Sequence, residues 1–287
     1  MKSTLDVIPW NPEPRGCGAG THGNVDLSQM NRLEAIELTK IYDHVPVVNS
    51  LNLWARGGEV LGLLGPNGAG KTTTFLMLAG IVKPDGGEVR LNDNVIDNDP
   101  SHVRAVKGLV YLPQQHSVFL KATVFENLFQ ILELHHPPGE ARRRADELLT
   151  DFGLDYVRNS RAHQLSGGEK RRLEIARAMI MNPRFLFLDE PFTGIDPITI
   201  VDIQKTILKL RQRDIGIIIT DHNVKDTFNI TDRVYVIHRG EILSSGPPAQ
   251  VVREERTRRL FLGQEFEWGK DDLEGFAGPL FSGTPKT

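Results

Sequence analysis

Cysteine is almost missing from this chain. Among 287 residues the sole example is Cys17, so no internal disulfide can form, and the cysteine-stapled scaffolds of small secreted domains are excluded. Nothing approaches eighteen consecutive apolar residues, so no segment reads as a membrane-spanning helix. A strong excess of either charge is also lacking: the net charge is −3, which gives no general case for nucleic-acid binding. There is no internal repeat. The opening Met1-Lys2-Ser3-Thr4-Leu5-Asp6 lacks the basic and apolar regions of a signal peptide. The expectation is a chain of a reducing compartment whose contact with a membrane runs through other proteins. Hydrophobic residues make up 39%, which suits one sizeable domain with a subdomain.

Residues 1–30 are rich in Pro, Gly, Asn and Ser without apolar periodicity and read as a disordered tail, with Cys17 an inert exposed thiol. The stretch from 267 to 287 reads as a flexible C-terminal tail. Between them, short apolar runs alternate with amphipathic segments. Val60–Leu64, Phe185–Leu188 and Gly216–Thr220 are continuous apolar runs, as buried parallel strands require, and Leu109–Leu112 is a further short strand. Helices are expected over 70–79, 123–134, 140–152, 198–212 and from just after Ser166 to Met181. Gly86-Gly87 reads as a hairpin turn between strand-like flanks. Strands alternating with helices predict an α/β fold with a mostly parallel sheet, and the strandless helices between about 115 and 165 an inserted helical subdomain.

Gly65-Pro66-Asn67-Gly68-Ala69-Gly70-Lys71-Thr72 matches G-x-x-x-x-G-K-[ST] in full, after a strand and opening a helix. The glycines let backbone N–H groups wrap phosphate oxygens, and the helix N-terminus adds positive potential. Lys71 is the residue to reach the β- and γ-phosphates, Thr72 the Mg²⁺ ligand, and Thr73 completes the phosphate-binding set. Asp189-Glu190 closes a four-residue apolar run at a strand's carboxyl end, where open parallel sheets bind ligands. Asp189 is placed to hold Mg²⁺ and Glu190 to polarise an attacking water. Leu165-Ser166-Gly167-Gly168-Glu169 sets a hydroxyl and glycine amides at a helix start, which makes an anion site.

With these residues in hand, the chain resembles the ATP-binding subunits of ABC transporters, from about residue 31 to 266. The resemblance implies a P-loop NTPase fold with an antiparallel β subdomain, and ATP with Mg²⁺ as ligands. It further implies a homodimer in which Ser166, Gly167 and Gly168 of one copy meet the γ-phosphate held by the other. It assigns Gln114 to Mg²⁺ and to coupling with a membrane partner, His222 to the γ-phosphate, Asp196 to the dimer interface and Tyr42 to stacking on adenine. Two transmembrane subunits would dock in a groove built from Ser117, Val118, Phe119 and Leu120, with Phe119 as anchor. Arg142–Arg144 and Arg256–Arg259 read as solvated helix faces.

Within the family, Tyr111-Leu112-Pro113-Gln114, Val124-Phe125-Glu126-Asn127-Leu128, Ile219–Val224 and Phe261–Phe266 resemble the ATPases of lipopolysaccharide export. Those of branched-chain amino-acid uptake are the alternative. A soluble cassette acting on ribosomes or nucleic acid is a second class. Translation cassettes carry two phosphate-loop lysines where this chain has one, and DNA-acting members carry long coiled coils where Thr72 to Leu165 shows no sustained heptads. A nucleotide sensor without turnover would lack Glu190 or His222, and both are present.

Overall fold

The computed structural model describes residues 31–268. The expected N-terminal tail, with Cys17, and residues 269–287 lie outside the described residues. Trp268, assigned above to the tail, packs edge-on against Phe228 with ring centroids 5.4 Å apart, and its indole N–H donates to Asn229 Oδ1 at 3.1 Å. A lone tryptophan in a polar stretch carries no period, so only the packing reveals that the cassette continues to it.

The chain opens with β1 (Arg32–Tyr42) and β2 (Val45–Arg56), then β3 (Val60–Leu64), α1 (Lys71–Leu78), β4 (Gly86–Leu91), β5 (Asn94–Val95), α2 (Ser101–Val106) and β6 (Leu109–Leu112). Then follow α3 (Val124–Leu132), α4 (Pro138–Asp151), α5 (Gly167–Met179), β7 (Phe185–Asp189), α6 (Pro197–Arg211), β8 (Gly216–Thr220), α7 (Val224–Phe228), β9 (Arg233–His238) and β10 (Glu241–Gly246). One sheet is antiparallel, in the order β2-β1-β4-β5. The other runs β10-β9-β3-β8-β7-β6 and is parallel apart from its β10 edge. The expected α/β architecture is thus observed, with α3 and α4 inserted between β6 and α5.

The buried strands explain the layering. On β3 and β7, Leu61, Leu63, Phe185 and Phe187 join α1 and the antiparallel sheet in one core. Their neighbours Val60, Leu186 and Leu188, pointing the other way, join the helical layer in a second. Phe75 of α1 meets Phe187 edge-on at 5.7 Å. Arg104, 1% exposed, sits inside the first layer and donates to the carbonyls of Met77, Leu78 and Ile96, each at 2.8 Å, and of Asp99 at 3.0 Å. It thereby caps the last turn of the helix that begins at Lys71.

Two sequence expectations need correcting. Gly86-Gly87 is not a hairpin turn: it opens β4 opposite Thr39, and Gly87 adopts φ +78 at a register shift. A Cβ there would lie 2.4 Å from the carbonyl oxygens of Ile36 and Glu37, so glycine serves close approach between strands. The hairpin between β4 and β5 turns at Asn92-Asp93, both at positive φ (49° and 65°), as short side chains that tolerate this region allow. The arginine run at 142–144 is also not a uniformly solvated face. Arg144 is 6% exposed and pairs with Glu140 at 2.8 Å, and Arg142 lies over the Phe125 ring at 5.3 Å.

Candidate functional site: a phosphate loop facing paired carboxylates

The loop from Gly65 to Gly70 leaves the end of β3 and enters α1 with no side chain capping the helix, so the first N–H groups remain open to an anion. Gly65 takes φ +149 and Gly70 φ +103. A Cβ on the first would lie 2.1 Å from Ile237 O, and on the second 2.6 Å from Val47 O, so the loop fits only with glycine. Asn67 and Gly68 are exposed at its crest, Pro66 is half-buried and Ala69 is buried. Lys71 is 6% exposed and folds back, its ammonium donating to Gly65 O at 2.8 Å and Pro66 O at 3.0 Å. Burial pushes this ammonium below its ordinary value, against the opposing pull of Glu190 and Asp189. Thr72 is exposed and Thr73 half-buried on the same first turn.

Across from the loop, Asp189 ends β7 at 4% exposure, its carboxylate accepting from Thr220 Oγ1 at 2.6 Å and Tyr111 O–H at 3.0 Å. Burial, and then the Asp189 charge, push the Tyr111 phenol far up, so it stays a donor. Glu190 follows at φ +46, an uncommon conformation for a residue with a side chain, fixed by its N–H donating to Thr220 O at 2.9 Å. Its carboxylate is surrounded: Gln114 Nε2 donates to Oε2 at 2.7 Å, Thr193 Oγ1 lies 3.3 Å from the same oxygen, and His222 Nε2 stands 2.6 Å from Oε1. Asp221, beside His222, accepts the N–H groups of Phe192 and Asn223, each at 2.9 Å, and ties the two loops together. Burial raises its carboxyl above the ordinary value. Glu190, Gln114 and His222, drawn from three separated segments, thus form one constellation beside Lys71 and Asp189.

Other predicted residues stand apart from it. Ser166 caps α5 in a capping box with Glu169. The neighbours of Gly167 and Gly168 are Gly194, Ile195 and Thr199 of the same chain; a Cβ on Gly168 would lie 1.8 Å from Thr199 Cγ2. Asp196 caps α6, accepting the Thr199 N–H at 3.0 Å and hydroxyl at 2.6 Å, which hold its carboxyl below the ordinary value. Tyr42 ends β1 at 44% exposure, with Lys40 Nζ 5.3 Å from its ring centre. Phe119 is 45% exposed, in a groove of about 610 Å³ shared with Val118, Leu120, Lys121, Ala122, Glu126 and Gln130, and Arg177 lies over its ring at 4.5 Å.

Sequence reasoning overlooked the residues that orient this site. Tyr111 and Thr220 lie near strand ends inside stretches quoted above, Tyr111–Gln114 and Ile219–Val224, which was their available signal. Arg171 and Glu174, buried on α5 and paired at 3.1 Å, are charges among apolar neighbours of a core-facing helix. Arg171 donates to Pro113 O at 3.1 Å and Asp189 O at 3.2 Å, while Glu174 accepts the Ser117 N–H at 2.6 Å. Among the described residues, no cluster of three or more His, Cys, Asp or Glu could hold a metal, and no helix is long and apolar enough to cross a membrane.

Comparison with known proteins identifies the family. A family model described as ABC transporter matches residues 48–193. The lipopolysaccharide export system ATP-binding protein LptB of Haemophilus influenzae is 45% identical over 240 residues, covering 83% of this chain and 100% of its own length. LptB of Escherichia coli K12 is 43% identical over 239 residues, covering 83% and 99%. Among solved structures, the ADP conformation of MJ1267, an ATP-binding cassette of an ABC transporter, superposes with a TM-score of 0.73 at 24% identity over 82% of this chain and 99% of that one, a likeness of fold. A dimeric post-hydrolysis state of the cassette MJ0796, bound to ADP and Pi, gives 0.65 at 25% identity over 75% and 98%. The chain belongs to the ABC transporter family, as one of its ATP-binding, ATP-hydrolysing subunits.

Proposed function

We propose that this protein powers lipopolysaccharide export from the inner membrane, as a homodimer on the cytoplasmic face bound to two transmembrane subunits of the LptF/LptG kind. The name and near-complete overlap of the LptB relatives support the cargo, and the dimeric MJ0796 cassette supports the homodimer. The observation that carries the chemistry is the Glu190 carboxylate held between Gln114 and His222.

ATP would lie with its phosphates on the Gly65–Gly70 backbone and the N-terminus of α1, its adenine against Tyr42. Lys71 turns from the loop carbonyls to the β- and γ-phosphates. A water in line with the γ-phosphate gives its proton to Glu190, and His222 steadies the charge that develops on the phosphoryl oxygens. Thr72, Gln114 and Asp189 would hold Mg²⁺. Hydroxyl, amide carbonyl and carboxylate are hard oxygen donors, and with so few carboxylates near, an ion would draw its other ligands from phosphate and water. When bound, the ion neutralises phosphate charge. Tyr111 and Thr220 orient Asp189 for that task. A Cβ on Gly167 or Gly168 would meet Gly194, Ile195 and Thr199 and no atom of the phosphate loop of the same chain, and Ser166 bonds Glu169, which supports these residues serving the facing copy. Closure and opening of the pair would move membrane subunits seated in the Phe119 groove.

Purification of the protein from detergent-solubilised membranes of its host tests this reading. Two related multi-span proteins with large periplasmic domains are the expected companions. Permeases of the amino-acid uptake type would overturn the cargo and keep the chemistry. Recovery from the soluble fraction alone would overturn the membrane role.

A further inference from the structure

The Ser166 hydroxyl is already engaged. It donates to Glu169 Oε2 at 2.7 Å, and the same oxygen accepts the Ser166 N–H at 2.7 Å. Glu169 stands in the first turn of α5, so its carboxylate occupies the positive end of the helix that an arriving phosphate would also seek. Its other oxygen accepts the Tyr156 O–H at 2.6 Å, and Arg172 Nη2 donates to that phenol at 3.3 Å. Tyr156 is 71% exposed, so apolar burial does not explain where its ring sits, whereas the bond to Glu169 does. Burial works to raise the Glu169 carboxyl, yet the bonds from Tyr156 and Ser166 hold it below its ordinary value. The bond to Glu169 in turn raises the Tyr156 phenol.

We propose that Glu169 is a latch on the Ser166 hydroxyl, and that Tyr156, backed by Arg172, anchors this carboxylate in its latched position, against the phosphates arriving from a facing copy. The proposal rests on the reading in which Ser166 meets the γ-phosphate held by that copy. Capture of the phosphate then requires the hydroxyl to turn from one anion to another. The carboxylate held at the same helix end also repels the nucleotide. Tyr156 and Glu169 therefore act in the same direction: the carboxylate opposes ATP-driven closure, and the phenol holds it where it does so.

The test is the ATP concentration dependence of phosphate release by the full-length protein and its Glu169→Gln, Tyr156→Phe and doubly substituted forms. Glutamine at this position keeps the capping box, so the helix start survives. Glu169→Gln is expected to lower the half-saturating ATP concentration by about two- to fivefold with little change in kcat, the size of an exposed charge interaction. Tyr156→Phe is expected to lower it by a smaller factor, and to have no effect once Glu169 is glutamine. An unchanged or raised value in Glu169→Gln overturns the latch, as does a Tyr156→Phe shift that persists in the double variant. Ser166→Ala separates the two readings. Its loss of turnover is expected; turnover equal to the parent's would overturn the cross-interface site itself, and the latch with it.

Discussion

Replacing Glu190 by glutamine isolates the proton acceptor from the architecture around it. The carboxylate is 12% exposed and has an N–H donor on one side, Gln114, and an imidazole nitrogen on the other, His222. An amide of the same shape keeps one oxygen. It must turn an NH₂ toward either Gln114 or His222, so one contact is retained and the other is kept only if Gln114 flips or His222 changes tautomer. The structural loss is about one hydrogen bond of about 1 kcal/mol, and a thermal melt should move by a few degrees at most. The chemical loss is larger. A positioned general base contributes about 10²–10⁴ in rate, equivalent to about 2.7–5.5 kcal/mol of barrier, and the amide offers none of it. Steady phosphate release should fall by that factor while ATP binding persists, and size-exclusion chromatography with ATP should show an accumulated dimer. Phosphate release within about threefold of the parent, from a protein that melts as the parent does, would refute the assignment of Glu190 as the base.

Other substitutions probe separate parts of the structure. Phe119→Ala removes an exposed ring from the groove beside α3; isolated ATP turnover should be unchanged while co-purification with membrane proteins is lost, and unaltered recruitment would move the docking site elsewhere. Arg104→Met removes the guanidinium from the carbonyls of Met77, Leu78, Ile96 and Asp99, of which Met77 and Ile96 keep a backbone N–H donor, and should lower unfolding free energy by about 2–4 kcal/mol in a urea titration; a loss under about 1 kcal/mol would show that the interior readily replaces the guanidinium. Gly168→Ala drives a methyl into Thr199 Cγ2 and should destabilise by about 1–3 kcal/mol, read from the same titration. Adding Thr199→Ser deletes the opposing methyl and should recover most of that loss.

The motifs and the strands beneath them were legible because their signals are local. A phosphate loop must follow a strand and open a helix, and the runs at 60–64, 185–188 and 216–219 carry no polar side chain because both faces of their sheet are covered. What was hidden lay in pairings between distant segments. β1 and β4 meet through a bulge that makes Gly87 look like a turn, while Asn92-Asp93 turns the chain without a glycine. Arg104 and Arg144 read as surface charge by type, and only tertiary structure supplies the carbonyls and the glutamate that let them be buried. In the site, Glu190 could be named from its strand-end motif, and Gln114 and His222 from the family resemblance. That they touch one another, and that Tyr111 and Thr220 hold Asp189, depends on β6, β7 and β8 lying side by side.

The backbone of Glu190, at φ +46, lies where a residue with a Cβ is strained by about 1 kcal/mol or more. Asparagine is at home there. A single replacement of Glu190 by asparagine would therefore relax the chain at the very position where it silences the reaction. Relief of the backbone, set against the lost contacts to Gln114 and His222, and loss of function lie along the same step. The glutamate, kept in its unfavourable posture, is maintained by use and not by folding.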